Sequence, residues 1–281
     1  MRTILEVLKL ATDYLARHKI ENPRLNAEIL LADVLNFKRY QLFTNFDKPL
    51  KDEELEKFKN FLIRRVSGEP VQYITSKANF YGFEFYITKD VLIPRPETEL
   101  LVEEVLLGIR EDEGLNILDI CSGSGVIGLI LAKFLPDSRV YLIDLSDKAI
   151  EISRINANRL DIRNVVFLNL DILKDDIPDI PFNIIVSNPP YVNSMKKDSV
   201  QKEIKLHEPE IAIFVDDELK FYTRIIELAK KKLVPNGMLF FEIDDQLAES
   251  VQFLMEQNDF NSIIVKKDYA GLNRIIYGVK K

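Results

Sequence analysis

Asn188-Pro189-Pro190-Tyr191 follows the apolar run Phe182-Asn183-Ile184-Ile185-Val186-Ser187, and together they can build a pocket for a planar NH2 group. Two consecutive prolines cannot donate ladder hydrogen bonds, so a strand over 182–187 must stop at Asn188. Proline also holds its predecessor extended, which keeps the carbonyls of Asn188 and Pro189 out of any helix and free as acceptors. The Asn188 side-chain oxygen is a further acceptor, and Tyr191 offers a flat face for stacking. An amide or an exocyclic amine fits such a site. Taken alone, the tetrapeptide has a plainer alternative, a strand-ending turn with a half-buried tyrosine.

The surrounding pattern favours the pocket. Asn116-Ile117-Leu118-Asp119-Ile120 reads as a buried strand, Cys121-Ser122-Gly123-Ser124-Gly125-Val126-Ile127-Gly128 as a glycine turn, and the run from Leu129 to Phe134 as a helix. Gly123, Gly125 and Gly128 satisfy G-x-G-x-x-G in the strand-to-helix setting where glycines permit a tight turn and close ligand approach. A second strand, Arg139-Val140-Tyr141-Leu142-Ile143, delivers Asp144, placed to accept the hydroxyls of an adenosine ribose. Both a nicotinamide dinucleotide and S-adenosylmethionine can use such a turn. Asp119 separates them, because a carboxylate before the glycines repels a pyrophosphate and attracts the ammonium of a methionine moiety. Its plainer role is to hydrogen-bond the loop backbone. After a third strand, Asn164 to Asn169, Asp171 can accept from an adenine amine and Ile172 can cover the ring; a loop Asp beside an apolar anchor is the alternative.

These residues need a sheet to hold them, and the chain supplies one. With 281 residues, 47% of them hydrophobic, it can fill the cores of one large domain and one small one. Up to residue 74, the stretches Thr3 to His18, Arg24 to Leu35 and Glu53 to Val66 carry apolar residues at helical spacing, which predicts a small helical domain. Thr3 and Glu6 match a capping box, and Leu5, Leu8, Leu10, Ala11 and Leu15 read as core. Residues 75–96 read as a β-hairpin linker around Tyr81-Gly82. From 97 to 281, strands alternate with helices as in an α/β domain with a parallel sheet. Phe221 to Leu233 reads as a helix, Pro235-Asn236-Gly237 as a turn, Met238 to Ile243 as a buried strand and Gln246 to Asn258 as a helix. The strands Ser262 to Lys266 and Asn273 to Val279 are joined by too few residues for a helical crossover, so they should be antiparallel. That makes seven strands.

Composition narrows the function classes. No apolar run approaches the roughly twenty residues of a membrane span, and Met1 to Glu6 opens an amphipathic helix rather than a signal-peptide core, so a cytoplasmic protein is expected. One cysteine, Cys121, and two histidines, His18 and His207, point to no metal and no internal disulfide. Cys121 reads as a small packed residue and His207 as a loop or rim residue. A net charge of −7 disfavours a broad nucleic-acid footprint.

With these residues assembled, the chain resembles the bacterial peptide chain release factor glutamine N5-methyltransferases, the PrmC/HemK family. Gly68-Glu69-Pro70-Val71-Gln72-Tyr73-Ile74, Val91-Leu92-Ile93-Pro94-Arg95-Pro96-Glu97-Thr98-Glu99, the glycine loop, Ser187-Asn188-Pro189-Pro190-Tyr191 and Asp268-Tyr269-Ala270-Gly271-Leu272-Asn273-Arg274 are similar to its motifs, in order. The resemblance implies a helical substrate-recognition domain, a hairpin linker and a class I S-adenosylmethionine-dependent methyltransferase domain, Rossmann-like, with strand order 3-2-1-4-5-7-6 and the last strand antiparallel. It implies S-adenosyl-L-methionine as cofactor, S-adenosyl-L-homocysteine as product, and the glutamine of the Gly-Gly-Gln tripeptide in class I release factors as substrate. By the same resemblance Cys121, Ser122, Gly123, Ser124, Gly125, Asp144, Asp171 and Ile172 hold the cofactor; the residues' own chemistry adds Asp119, and Asn188 is expected to border both cofactor and substrate. Asn188, Pro189, Pro190 and Tyr191 form the catalytic glutamine pocket.

The sequence departs from that pattern in three places. Cys121-Ser122 stands where the family usually has Gly-Thr, Ser76 where a glycine is common, and His207-Glu208-Pro209 where Tyr-Glu-Pro is usual. A monomer without stable nucleic-acid or membrane partners is expected. Two rivals remain: an amino-methyltransferase acting on adenine in DNA or RNA, against which the acidic balance argues, and an NAD-dependent dehydrogenase, which leaves Asp119 and the Asn-Pro-Pro-Tyr pocket unexplained.

Overall fold

The computed structural model describes residues 2–109 and 114–281, which divide into a compact unit ending at Lys77 and a second running from Ala78 to Lys281. The first unit is helical: α1 (Ile4–Arg17), α2 (Pro23–Val34), α3 (Arg39–Phe43), α4 (Asp52–Val66) and α5 (Val71–Thr75). Thr3 caps α1, its Oγ1 accepting from the Glu6 amide while its own amide donates to Glu6 Oε2 at 2.9 Å, which satisfies two otherwise orphaned donors. The buried stripe of α1 is Ile4, Val7, Leu8, Ala11 and Leu15, packed with Leu30, Leu31, Phe58 and Phe61. Leu5 and Leu10 do not join it; they are 53% and 49% exposed because the helical period carries them off the stripe that begins at Ile4. Val71–Thr75 adds a further helical turn beyond the three predicted stretches, and Ser76 ends it at φ +57°.

The second unit opens with a hairpin, β1 (Lys77–Phe80) and β2 (Phe83–Tyr86). Tyr81 and Gly82, both at positive φ, make the tight turn whose twist suits paired strands. Next come α6 (Thr98–Gly108), β3 (Asn116–Ile120), α7 (Val126–Phe134), β4 (Arg139–Asp144), α8 (Asp147–Arg159), β5 (Val165–Asn169) and β6 (Phe182–Ser187). A short parallel pair, β7 (Val192–Asn193) and β8 (Phe214–Val215), brackets the segment carrying α9 (Lys202–His207). The chain finishes with α10 (Lys220–Lys232), β9 (Leu233–Glu242), α11 (Ala248–Glu256), β10 (Phe260–Lys267) and β11 (Asn273–Lys280).

Seven strands form one sheet in the order β10-β11-β9-β6-β3-β4-β5. β4, β5, β6 and β9 run parallel to their neighbours around β3, whereas β11 is antiparallel to both β9 and β10. Numbered along the sheet's own strands, this is the expected 3-2-1-4-5-7-6, with the last strand reversed. Alternation along β3 separates two cores. Leu118 and Ile120 pack with Tyr222, Ile225 and Val251 on one face, and Ile117 packs with Val102, Leu129 and Ile130 on the other. β3 is also the switch point, since successive connections leave it toward β4 on one side and return to β6 on the other. Open sheets of this kind bind ligands at the carboxyl ends of the strands beside that point.

The expected turn at Pro235-Asn236-Gly237 is instead absorbed into a strand. β9 begins at Leu233 opposite Phe182 and resumes regular pairing at Met238 opposite Ile184, so residues 234–237 bulge outward with Asn236 at φ +62°. Gly237 is required there, because a Cβ would come within 2.9 Å of the Val234 carbonyl oxygen.

Candidate functional site

The carboxyl ends of β3, β4, β5 and β6 surround a cavity of about 260 Å³. Cys121, Gly123, Asp144, Asp171, Ile172, Asn188 and Pro190 line it, so residues predicted from four separate strand ends meet in one place. Val91, Leu145, Leu173, Phe214 and Phe221 complete an apolar wall that the sequence reading did not assign. Their clue was only apolar character near predicted ends, which core residues share. Ser122, Ser124, Gly125, Pro189 and Tyr191 adjoin the lining residues in the chain and lie outside the wall.

Asp144 ends β4, with Oδ2 accepting from the Gly123 amide at 2.8 Å and Oδ1 from the Ser146 amide at 2.9 Å. Burial raises its pKa above the ordinary carboxylate value, and those backbone donors pull the other way. Asp171 behaves oppositely: its bond to Lys174, at 2.7 Å, holds its carboxyl below the usual value. Ile172 is almost wholly buried beside it.

The glycine turn explains one departure noted in the sequence. Cys121 has φ +60°, in the left-handed region that glycine enters without cost, so a glycine would suit this position. Burial first, then the carboxyls of Asp144 and Asp119, push the Cys121 thiol well above its ordinary pKa, which makes it a packing residue rather than a nucleophile. Gly125 begins α7 at φ +82°, and a Cβ there would lie 2.9 Å from Ser153 Oγ. Gly128 lets α7 press on β3, with Asp119 Oδ2 and Leu142 Cγ each 2.9 Å from where a Cβ would stand.

Asp119 lies apart from the other cofactor candidates. Alternation along β3 turns it toward α7, where it is fully buried, outside the cavity wall, and its Oδ2 accepts from the Gly128 amide at 2.8 Å. Its Oδ1 has no partner. Desolvation lifts its pKa to about 8, the Asp144 charge adding to the rise and the Gly128 bond opposing it. The loop-shaping role is the one this geometry supports.

Asn188 directly follows β6, with its Nδ2 donating to Thr98 Oγ1 at 3.3 Å and Thr98 Oγ1 donating in turn to Glu242 Oε2 at 2.6 Å. Burial pushes the Tyr191 hydroxyl up to about 12. Thr98 and Glu242 were not singled out as site residues. A glutamate inside the buried strand Met238 to Ile243 was the available signal, since a buried charge is the informative exception. Glu208 is also buried, accepting from the Ile93 amide at 3.3 Å and Arg95 Nη2 at 2.6 Å, which ties the Ile-Pro-Arg-Pro segment to the residues after α9. His207 lies beside this tie, with a buried Nε2 that has no partner.

A seven-stranded sheet of this order, with a glycine turn and acidic strand end beside its switch point, defines a class I methyltransferase fold. Two solved structures share the fold: a methyltransferase from Pyrococcus furiosus (TM-score 0.53, 16% identity, covering 79% of this chain and 98% of that one) and a 16S rRNA methyltransferase from T. thermophilus in complex with AdoMet and guanosine (TM-score 0.53, 17% identity, 73% and 50%). Residues 6–75 match the PrmC N-terminal domain and residues 96–210 the methyltransferase small domain. Release factor glutamine methyltransferases are similar along nearly the whole chain. That of Leptospira interrogans is 35% identical over 98% of this chain and 97% of its own, that of Geobacter sulfurreducens 38% over 98% and 96%, and that of Flavobacterium psychrophilum 40% over 88% of each. The chain belongs to the release factor glutamine methyltransferase family.

Proposed function

We propose that this protein transfers a methyl group from S-adenosylmethionine to the N5 side-chain amide of the glutamine in the Gly-Gly-Gln motif of class I peptide chain release factors. The observation that carries the reading is the Asn188 amide at the cavity wall, its NH2 end turned inward to Thr98 so that Oδ1 is left to accept from a substrate. The wall also suits the cofactor. Asp144 can accept from two ribose hydroxyls, Ile172 and Leu145 supply apolar cover for an adenine, and Asp171 can accept from its amine. The bound cofactor supplies the electrophilic methyl group.

A glutamine amide nitrogen is a poor nucleophile because its lone pair is delocalised, so orientation dominates. Asn188 Oδ1 and the Pro189 carbonyl accept its two N–H bonds and aim the nitrogen along the roughly 3 Å approach of a near-attack arrangement. The same acceptors stabilise positive charge developing on nitrogen. The amide becomes acidic as the new bond forms, and water or a backbone oxygen removes the proton. Tyr191 offers the flat neighbouring face.

The helical unit, residues 1–74 with residues 75–96 as linker, serves substrate recognition in this reading; the exposed Leu5, Leu10 and Tyr14 of α1 support it. No helix among the described residues is long and apolar enough to cross a membrane, and the proposed setting is the cytoplasm, as a monomer without stable nucleic-acid binding. Incubation with S-adenosylmethionine and an unmodified class I release factor, followed by mass spectrometry of the Gly-Gly-Gln peptide, tests the proposal. One added methyl on the glutamine is expected. A protein that binds the cofactor and leaves that glutamine unmethylated would refute the substrate, and transfer to adenine in its place would establish the nucleic-acid rival.

A further inference from the structure

Glu242 is a carboxylic acid buried to 2% exposure at the end of β9, outside the cavity wall and two residues' contact away from it. Thr98 Oγ1 donates to Glu242 Oε2 at 2.6 Å and accepts from Asn188 Nδ2 at 3.3 Å. A threonine hydroxyl has a single proton. When that proton goes to an ionised Glu242, Thr98 can only accept from its other neighbour. It therefore selects the NH2 end of the Asn188 amide and leaves Oδ1 toward the cavity. A protonated Glu242 can donate to Thr98, which frees the hydroxyl proton to seek Oδ1 and rotates the NH2 end into the cavity. There it would confront the NH2 of a substrate amide, donor against donor.

We infer that Glu242 is a positioning residue, which acts through Thr98 to fix the acceptor end of the Asn188 amide toward the substrate. The inference rests on the glutamine-methyltransferase reading and adds to it a relay reaching from β9 through the start of α6 to the end of β6. Every element around Glu242 bears on its charge. Arg274 on β11 favours the ionised form, Glu97 just before α6 disfavours it, and hydrogen bonds from Thr98 and Asn188 favour it. Tyr191 after β6 and Tyr222 on α10 are charge neighbours, and the Tyr222 hydroxyl donates to the Glu242 backbone carbonyl at 3.0 Å. Desolvation outweighs the favourable contacts and places the titration at about 7. Methyl transfer should therefore rise as the pH passes through neutrality and level off above it.

The test is single-turnover methyl transfer by the full chain to an unmodified class I release factor, at saturating S-adenosylmethionine, from about pH 6 to about pH 9. The wild type should show the rising limb. Glu242→Gln should be slower by about tenfold or more at the alkaline end, with the limb lost and cofactor affinity by calorimetry within about twofold of wild type. Thr98→Val removes the relay without touching Glu242 and should reproduce both effects, whereas Thr98→Ser, which keeps the hydroxyl, should restore the rate and the limb. A Thr98→Val protein with wild-type rate and wild-type pH profile overturns the inference while leaving the methyltransferase reading intact. A folded wild type that transfers no methyl to the release factor overturns the reading and the inference together.

Discussion

The burial of Asp119 makes a quantitative demand on stability. Its carboxyl has an ordinary pKa of 3.8 and is lifted to about 8 in the folded protein, with one oxygen bonded to the Gly128 amide and the other unpartnered. Between those values the folded chain holds a proton that the unfolded chain has released, so stability falls as pH rises. The contribution is fully present below 3.8 and lost as pH climbs through about 8. One proton corresponds to about 1.4 kcal/mol per pH unit. Asp119→Asn keeps the shape and an acceptor for Gly128 and cannot titrate. Its stability relative to wild type should therefore improve by about 1.4 kcal/mol for each unit from about pH 5 to about pH 7, close to 3 kcal/mol in all, whatever its offset at the acid end. Asp144 and Glu242 also have raised values, but both proteins contain them, so they drop out of the difference. Urea unfolding followed by hydrogen exchange of the β3 and β4 amides measures it. A pH-independent difference would refute the claim that Asp119 is protonated in the folded state near neutral pH.

Asn188→Ala should lower methyl transfer by about 10²-fold or more with cofactor affinity little changed, as expected for a lost preorganised contact; near-normal turnover would remove its role. Asp144→Ala should weaken S-adenosylmethionine binding by calorimetry, and unchanged affinity would take it out of the ribose site. Ser76→Gly should stabilise the helical unit by about 0.5–1 kcal/mol, because a serine at φ +57° bears a strain that glycine does not; a lower urea midpoint would contradict this.

The strands flanking the switch point were legible because they are short apolar runs with abrupt ends: Ile120 stops at a glycine turn and Ser187 at two prolines. The Asp144, Asp171 and Asn188 strand ends followed from them. Asp119 was legible as important with two roles open, and strand alternation favours one of them only after it is known which helix covers its face. The bulge in β9 was hidden because Pro235-Asn236-Gly237 carries ordinary turn chemistry, and pairing with Phe182, fifty residues away in the chain, decides that β9 continues through it. Ser76 and Cys121 were visible as departures from a family pattern, but only their positive φ values give the reason glycine is usual there. The Asn188–Thr98–Glu242 relay joins residues from three remote stretches, and nothing local in the sequence announces it.

The cavity wall takes its residues from Val91, the turn at Cys121, Asp144 and Ile172, Asn188 and finally Phe221, so no contiguous stretch of chain contains a site. A nascent chain emerging from the ribosome carries four of the seven sheet strands before it has the whole wall, which waits for the first turn of α10. Competence to bind thus arrives late in synthesis, and the order of its appearance is written into the topology rather than into any one motif. A bound cofactor would clasp elements far apart in sequence and would raise the unfolding temperature of the unit as a body, by mass action on the folded state alone.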